Sequence, residues 1–282
     1  ELVGLERCEL MSVAPEEIAN TIKQHGNEIA VLMLTQVNFR NGDIHDIQAI
    51  TSLAHEHGIL VIWDLAHSAG VLPLELETWQ VDFAVGCTYK YLNGGPGAPA
   101  FAYVAPQHQA ALRQPLSGWM GHKAPFAFSH DYEKAQGVEH LLCGTPSIIS
   151  MSILDAALEI FEEVSIADIR AKSIALNDFF QKSLGELCED TNISEFTLAC
   201  KSKASERGSQ VSYQHPHAYE ICQALIAHKV VADFRAPNIL RIGFSPLFLS
   251  FADVLQAAQT LSVILKESIY TNAQFSVRQA VT

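Results

Sequence analysis

The stretch Ile59-Leu60-Val61-Ile62-Trp63-Asp64 predicts the fold class of this protein. Five apolar residues in a row, without alternation, are typical of a strand that is buried on both faces, as in a parallel sheet. Residues 29–34 form a second such run, and residues 44–58 between the two repeat apolar side chains at helical spacing. Strand, helix and strand in this order predict an α/β fold with a mainly parallel sheet and helices on both faces.

The rest of the first half continues this alternation. We expect a short helix from Pro15 to residue 26, because a proline followed by two glutamates favours a helix start. Two further strands are predicted at residues 82–87 and 98–104.

From residue 148 onward the pattern changes. Two helices are predicted at residues 148–164 and 166–187, followed by shorter elements. These shorter elements are strands at residues 196–200, 210–214, 230–234 and 239–244 and helices at residues 218–228 and 252–264. We therefore predict a large domain over residues 1–160 and a smaller α+β domain over residues 161–282.

The composition is that of a soluble globular protein. Of its 282 residues, 49% are apolar and 17% are charged, which excludes a disordered chain. Acidic residues number 31 against 18 lysines and arginines, and the net charge of −13 argues against nucleic acid or an anionic membrane as a partner. This charge is compatible with a local positive pocket for a small anion. No apolar run reaches the roughly 18 residues that a membrane-spanning helix needs.

The cysteines and the closely spaced histidines are predicted to be structural. The six cysteines are Cys8, Cys87, Cys143, Cys188, Cys200 and Cys222. Because they include no Cys-x-x-Cys pair, we expect neither a disulfide framework nor a zinc site, and we expect a cytoplasmic location. We interpret the cysteines as core residues. The pairs His55/His57 and His215/His217 would not share one face of a helix, so no metal site is predicted there.

Two stretches at predicted strand ends have the residue types of a reactive site. In Thr88-Tyr89-Lys90-Tyr91-Leu92-Asn93-Gly94-Gly95-Pro96-Gly97, a lysine follows a buried strand, where burial would lower its pKa and make it a nucleophile. In Asp64-Leu65-Ala66-His67-Ser68-Ala69-Gly70, a carboxylate ends an apolar strand. The alternatives are a solvated turn lysine and a helix N-cap aspartate. A carboxylate opposite a Schiff-base lysine is the arrangement that pyridoxal phosphate needs.

Further motifs extend this pattern along the chain. They are Gly118-Trp119-Met120-Gly121-His122, Cys143-Gly144-Thr145-Pro146, Glu206-Arg207-Gly208-Ser209-Gln210, Asp233-Phe234-Arg235-Ala236-Pro237 and Leu240-Arg241-Ile242-Gly243-Phe244-Ser245-Pro246-Leu247. Together with the two stretches above, they resemble the kynureninase family in its bacterial form, which consists of pyridoxal-phosphate enzymes of fold type I. The resemblance implies the large domain of that fold followed by a smaller C-terminal domain.

The resemblance implies roles for the matching residues. Lys90 would form the Schiff base, Asp64 would pair with the pyridine nitrogen, and His67 would lie beside the ring. Tyr89 would bind the phosphate and donate a proton to the substrate. The structural alternatives are a hydrogen-bonded histidine for His67 and core packing for Tyr89.

Three more cofactor-binding residues are implied by the same resemblance. Thr35, at the end of the first predicted strand, would touch the cofactor, although a threonine there is usually a turn residue. Trp119 and Thr145 would reach the phosphate, one or both from the partner subunit of a homodimer. An interface or core aromatic is the alternative for Trp119.

Arg241 is the candidate anchor for the substrate. It lies within an apolar strand, where a guanidinium group needs an anionic partner. A bidentate contact to an α-carboxylate would provide one, and a structural ion pair with an acidic residue is the alternative. Arg207 is predicted to be structural.

The activity implied by the resemblance is hydrolytic cleavage of the Cβ–Cγ bond of L-kynurenine or 3-hydroxykynurenine. The products would be anthranilate or 3-hydroxyanthranilate and L-alanine, in tryptophan catabolism or NAD biosynthesis. A cysteine desulfurase or small-substrate aminotransferase of the same fold is an alternative, although Tyr89 stands where desulfurases typically have histidine. A catalytically silent fragment that acts only as a dimerising module is another.

The first residues, Glu1-Leu2-Val3-Gly4, read as the middle of a domain. The resemblance implies about a further third of chain before them, with Ser/Thr contacts to the phosphate and an aromatic ring stacked on the cofactor. We therefore expect this chain to be N-terminally incomplete, with weak cofactor binding and little activity by itself.

Overall fold

A mixed four-stranded sheet lies at the centre of the first half of the chain. The computed structural model describes residues 14–191 and 193–278, so the predicted features at residues 1–4 and at Cys8 lie outside the described residues. The strands, in their order across the sheet, are β1 (Val31–Thr35), β2 (Leu60–Asp64), β3 (Phe83–Cys87) and β4 (Ala100–Val104).

The first three strands of this sheet are parallel, as predicted, and β4 is antiparallel to β3. Residues 88–99, which connect β3 to β4, contain no helix, whereas a parallel neighbour usually needs a crossover helix that carries the chain back to the other end of the sheet. The α/β class with mostly parallel strands is nevertheless confirmed.

Helices cover one face of this sheet. The helices of the first half are α1 (Pro15–His25), α2 (Ile47–Glu56), α3 (Pro106–Gln109), α4 (Ile148–Leu158) and α5 (Ile160–Glu163). Apolar residues of α1 and α2 pack with Val61 and Trp63 of β2 in one buried cluster. On the other face, Val31 and Met33 of β1 are about half exposed, so the expected second helix layer is absent over this edge strand among the described residues. The predicted helix over residues 148–164 is interrupted at Glu159.

The second half is an antiparallel sheet packed against helices. Its helices are α6 (Ile166–Leu187), α7 (Ala218–Ala227) and α8 (Phe251–Lys266), and its strands are β5 (Thr197–Leu198), β6 (Gln210–Gln214), β7 (Asp233–Arg235) and β8 (Ile239–Gly243). The strand order is β5-β6-β8-β7. Its core includes the fully buried Phe180, Ile221 and Leu261 from the three helices. Within residues 14–191 and 193–278, no helix combines the length and apolar character of a membrane span.

The loop that follows β1 joins the two halves. We call residues 36–45 the junction loop. The amide of Gly208 donates to the carbonyl of Gly42 at 2.8 Å, and the amide of Lys201 donates to Oδ1 of Asp43 at 2.7 Å. The junction loop therefore holds the second half against the carboxyl ends of the strands in the first.

Candidate active site

The predicted site residues of the first half lie at one edge of the sheet. Thr35 and Asp64 are the last residues of β1 and β2, and they are register partners in the parallel ladder. Lys90 follows the end of β3. The carboxyl ends of parallel strands are where α/β sheets bind ligands, so the topology brings these three residues to the expected edge.

The amine of Lys90 lies 3.0 Å from Nε2 of His67, within hydrogen-bond distance. Burial lowers the pKa of Lys90, and Arg241 adds to this effect, while Cys87 and Asp64 oppose it. A lowered pKa increases the fraction of neutral, nucleophilic amine.

His67 is itself held neutral. Burial, with the positive charges of Lys90, Arg241 and Arg235, lowers its pKa to about 3. At neutral pH its ring therefore has one donor and one acceptor nitrogen, and Nε2 faces the lysine.

Asp64 makes a local hydrogen bond and belongs to the same charge cluster. Its Oδ1 accepts the amide of Ala66 at 2.8 Å in a turn, and no helix directly follows Asp64, so the alternative of a helix N-cap is not the one observed. A carboxylate has two oxygens, so this contact is compatible with a second partner. The negative charge of Asp64 partly opposes the lowering of the pKa of Lys90 by burial, and it adds to the raised pKa of Tyr89, which is due first to Cys87.

Tyr89 is 50% exposed, so it is not a core residue. The amine of Lys90 lies 5.5 Å from the centre of its ring. Electrostatic interaction with Cys87, then burial and a hydrogen bond with Cys87, raises the pKa of Tyr89. The phenol therefore stays protonated at neutral pH and can donate a proton or a hydrogen bond.

Cys87 corrects the interpretation of the cysteines as core residues. It lies at the end of β3, contacts Tyr89, and its Sγ is 3.7 Å from the carbonyl of Ala66. Cys143 is exposed, whereas Cys188 and Cys222 are buried. For Cys87, the available signal in the sequence was its position at the end of a predicted strand, just before Lys90.

The loops after β2 and β3 meet at Gly70. Its φ of +89° is in the left-handed region, and a Cβ there would lie 2.7 Å from the backbone carbonyl of Tyr91. Only glycine fits such a close approach. This contact fixes the loop that carries His67 against the loop that carries Lys90.

Arg241 on β8 faces the same space as Lys90 from the second half. Both residues line a cleft of about 1110 Å³ between the two halves, together with His67, Tyr89 and Asp233. Arg241 forms an ion pair with Asp233, so the structural pairing considered as the alternative is present. It also donates to the carbonyl of Phe39 in the junction loop.

Trp119 and Thr145 lie elsewhere. The segments around them pack together, since a Cβ on Gly118 would collide with the carbonyl oxygen of Cys143 at 1.8 Å. Trp119 is 44% exposed, Thr145 is exposed, and neither belongs to the described wall of the cleft. Trp119 and Thr145 therefore do not line the cleft beside Lys90 within one chain; Thr35 and Asp64 are not among its lining residues either, although they end the strands beside it.

Arg207 and Arg235 differ in their surroundings: Arg207 is buried among contacts that stabilise the second half, whereas Arg235 contacts a residue of the cleft wall. Arg207 is 1% exposed and bonds to the carbonyls of Lys201 and Ser202 and to Asp178. Arg235 bonds to Asp233 at 2.8 Å.

Asp233 and Arg235 belong to a sequence motif, but no role in the site was predicted for them. Their alternate positions on a strand, which put them on one face, were the available signal. Among residues 14–191 and 193–278, no group of three or more His, Cys, Asp or Glu side chains is arranged to hold a metal ion.

Comparisons with known proteins show sequence similarity to kynureninases. A family model described as the kynureninase C-terminal domain matches residues 169–261. A kynureninase of Pseudomonas fluorescens is 45% identical over 269 residues, which is 95% of this chain and 63% of the relative. A kynureninase of Burkholderia mallei strain SAVP1 is 46% identical over 91% of this chain and 61% of the relative. This chain thus spans about three fifths of the length of these relatives, and the predicted resemblance is confirmed.

Solved structures confirm the fold. A cysteine desulfurase from Thermococcus onnurineus NA1 has a TM-score of 0.73 at 19% identity, over 88% of this chain and 63% of that one. An alanine–glyoxylate aminotransferase from Nostoc sp. has a TM-score of 0.62 at 18% identity, over 88% of this chain and 65% of that one. At such low identity these similarities concern the fold alone.

Proposed function

Because this chain is related by sequence to bacterial kynureninases along 95% of its length, we propose that it carries the lysine-bearing part of a kynurenine-cleaving site. The reaction would consume L-kynurenine or 3-hydroxykynurenine and one water, break the Cβ–Cγ bond, and release L-alanine with anthranilate or 3-hydroxyanthranilate. This chemistry belongs to tryptophan catabolism or NAD biosynthesis. The observation that carries the proposal is the shared cleft of Lys90 and Arg241.

The residues at the sheet edge fit pyridoxal phosphate. Lys90 offers an amine of lowered pKa, and Asp64 offers a carboxylate at the end of a neighbouring strand. We propose that Lys90 binds the cofactor covalently, that Asp64 pairs with its ring nitrogen, and that His67 and Thr35 contact it. When bound, pyridoxal phosphate withdraws electrons from the α-carbon of an attached amino acid.

The protein's own groups then bind the substrate and move its protons. Arg241 would bind the α-carboxylate and so orient the substrate toward Lys90. The freed amine of Lys90 would remove the proton from the α-carbon. Tyr89, whose phenol is protonated at neutral pH, would deliver a proton to the β-carbon as the Cβ–Cγ bond breaks.

The first test is the fixation of the cofactor by Lys90. We expect pyridoxal phosphate to produce visible absorbance with the 282-residue chain, and borohydride to fix the cofactor to Lys90. Lys90→Ala should abolish this fixation. Lys229→Ala, which removes an exposed lysine from the same cleft, is the matched control and should retain it. Fixation that persists in Lys90→Ala would refute the assignment.

The second test concerns the reaction. Because we expect little activity from this chain alone, anthranilate fluorescence should rise only slowly when L-kynurenine is added to the loaded protein, and should not rise with Lys90→Ala. Release of sulfide from L-cysteine instead would identify a desulfurase. Cofactor fixation without either product would leave a binding module as the function.

We further propose that Trp119 and Thr145 serve the cleft of a second copy of the chain. Their exposure and their absence from the lining residues of the cleft support this arrangement. In that case Lys90→Ala and Thr145→Ala proteins should each bind cofactor poorly, and their mixture should regain borohydride-fixed cofactor through hybrid dimers. A mixture that fixes no more cofactor than its separate components would contradict a shared site.

A further inference from the structure

Asp233 is shared by two arginines in the wall of the cleft. Its Oδ2 accepts Nη2 of Arg235 at 2.8 Å and also accepts Nη2 of Arg241. Its other oxygen, Oδ1, is buried and has no hydrogen-bond partner among the described residues. Nε of Arg235 is buried and unpartnered in the same way. A buried polar atom without a hydrogen-bond partner is energetically unfavourable, so this arrangement leaves two unfavourable atoms side by side.

The two unpaired atoms belong to side chains that already touch. Nε and Nη2 lie along one edge of a guanidinium group, and a carboxylate that approaches this edge accepts both. A small shift of Asp233 toward Arg235 would therefore pair Oδ1 with Nε while Oδ2 keeps Nη2. The same shift would release Nη2 of Arg241.

Strand geometry places Asp233 within reach of both arginines. Asp233 on β7 lies directly opposite Arg241 on β8, and Arg235 follows two residues later on the same face of β7. Both arginines are therefore within reach of one short side chain. Only Arg241 belongs to the described wall of the cleft with Lys90.

We propose that Asp233 is an internal carboxylate that occupies Arg241 until a substrate carboxylate arrives, and that Arg235 is the positioning residue that then receives Asp233. Two arginines and one carboxylate carry a net positive charge, and a second carboxylate completes two ion pairs. Without Arg235, Asp233 and the substrate would compete for Arg241. This inference rests on the proposed function in one respect, namely that Arg241 binds a carboxylate.

The test uses an unreactive probe and the full chain. 4-Oxo-4-phenylbutanoate has the carboxylate and aryl ketone of kynurenine but no amino group, so it binds without reacting at Lys90. Its carboxamide is the matched control ligand. Isothermal titration calorimetry would measure both with the unaltered protein, where the carboxylate should bind more tightly than the amide.

Substitutions distinguish the movement of Asp233 from Arg241 to Arg235 from an effect of net charge alone. Arg235→Lys keeps the charge but lacks the Nε/Nη2 edge, and it should weaken binding of the carboxylate about tenfold, the worth of roughly one charge-assisted hydrogen bond. Asp233→Asn removes the competitor and should tighten binding by a similar factor. The double variant should bind at least as tightly as the unaltered protein, because the competitor is gone. Thermal unfolding monitored by circular dichroism would establish that each variant folds.

A second readout follows the exchange directly. The Nε–H resonance of Arg235, assigned by its loss in Arg235→Lys, should shift in ¹⁵N-resolved NMR spectra when the carboxylate probe is added. It should not shift in the same way in Asp233→Asn. A purely structural Arg235 would not produce this ligand-dependent signal.

Three results would overturn the inference. They are binding of the probe by Arg235→Lys as tight as by the unaltered protein, binding by Asp233→Asn no tighter than by the unaltered protein, and equal binding of carboxylate and amide. The third result would also remove the role of Arg241 while leaving cofactor fixation by Lys90 intact. If instead the exchange is observed but kynurenine is not cleaved, the proposed function fails and the carboxylate exchange stands.

Discussion

The amine of Lys90 lies 3.0 Å from Nε2 of His67, in surroundings that lower the pKa of both groups. At the scale of the residue, the strand pattern predicts the position of Lys90, because a charged side chain after a buried run marks the end of a strand. The pattern cannot predict the pKa. That depends on burial and on Arg241, which lies 151 positions further along the chain.

Gly70 gives the first prediction. Gly70→Ala should destabilise the protein by about 2–4 kcal/mol and reduce cofactor fixation by Lys90, because its Cβ would collide with the backbone of Tyr91. Gly58→Ala is the matched control: its φ is +73°, but its surroundings are open, so only the roughly 1 kcal/mol of left-handed strain is expected. Urea unfolding and borohydride fixation would measure the two effects. Equal effects of the two substitutions would contradict the close approach.

Asp82 gives the second prediction, a pH dependence. It is buried between Nε2 of His55 at 2.8 Å and Nε2 of His108 at 2.7 Å, and it accepts the amide of Val61. Burial alone would raise the pKa of Asp82, but these hydrogen bonds outweigh it and hold the pKa below its ordinary value.

A carboxylate whose pKa is lowered by folding stabilises the protein above its unfolded pKa of about 3.9 and loses this contribution as the pH falls through the folded value. Asp82→Asn should therefore lower the free energy of unfolding by about 2 kcal/mol at pH 7, and by less near pH 3. Urea unfolding at both pH values would measure the difference. A gap that does not narrow in acid would contradict the role of the ionised carboxylate.

At the scale of the element, helix starts follow local sequence rules. Ser250 and Asp253 form a capping box at the start of α8, in which each side chain accepts the other's amide. Asp46 caps α2 by accepting the amide of Ala49. Helix bounds are therefore predicted within a few residues. The direction of β4 is not predicted by such rules, because it depends on the connection between two strands and not on the strand's own residues.

The capping box gives the third prediction. Ser250→Ala should lower the free energy of unfolding by about 1 kcal/mol, because the amide of Asp253 loses its acceptor. Ser147→Ala is the matched control, since Ser147 also precedes a helix but its side chain caps no amide there. Its effect should stay within a few tenths of a kcal/mol. Equal losses in urea unfolding would show that the capping box does not stabilise α8.

At the scale of the whole molecule, the junction loop decides whether the two halves act together. Its bonds to the second half place Arg241 across the cleft from Lys90. Gly42 in this loop has a φ of +91°, and a Cβ there would lie 2.7 Å from the side chain of Gln210. Glycine is therefore required where the two halves approach.

The fourth prediction tests this coupling. The three tryptophans, Trp63, Trp79 and Trp119, all lie in the first half, whereas circular dichroism also reports the helices of the second. The two signals should change together in urea for the unaltered protein, and should separate in Gly42→Val because the junction is disrupted. Gly58→Val, at a positive φ in open surroundings, should keep them coincident. Separate transitions in the unaltered protein would support the predicted boundary near residue 160 as a boundary between independently folding units.

The sequence by itself determined the α/β class, the helix starts, and the positions of Asp64 and Lys90 after buried strands, because burial pattern and capping act over a few neighbouring residues. Only the tertiary structure decided which charges share the cleft. Asp233 and Arg241 meet because two antiparallel strands pair in one register. The pKa of His67 falls to about 3 because its ring is buried and because Lys90 and two arginines from the second half lie near it. It also left Trp119 and Thr145 outside the cleft wall, since their placement depends on how loops pack. Electrostatic energy depends on distance in space, and distance along the chain does not predict it.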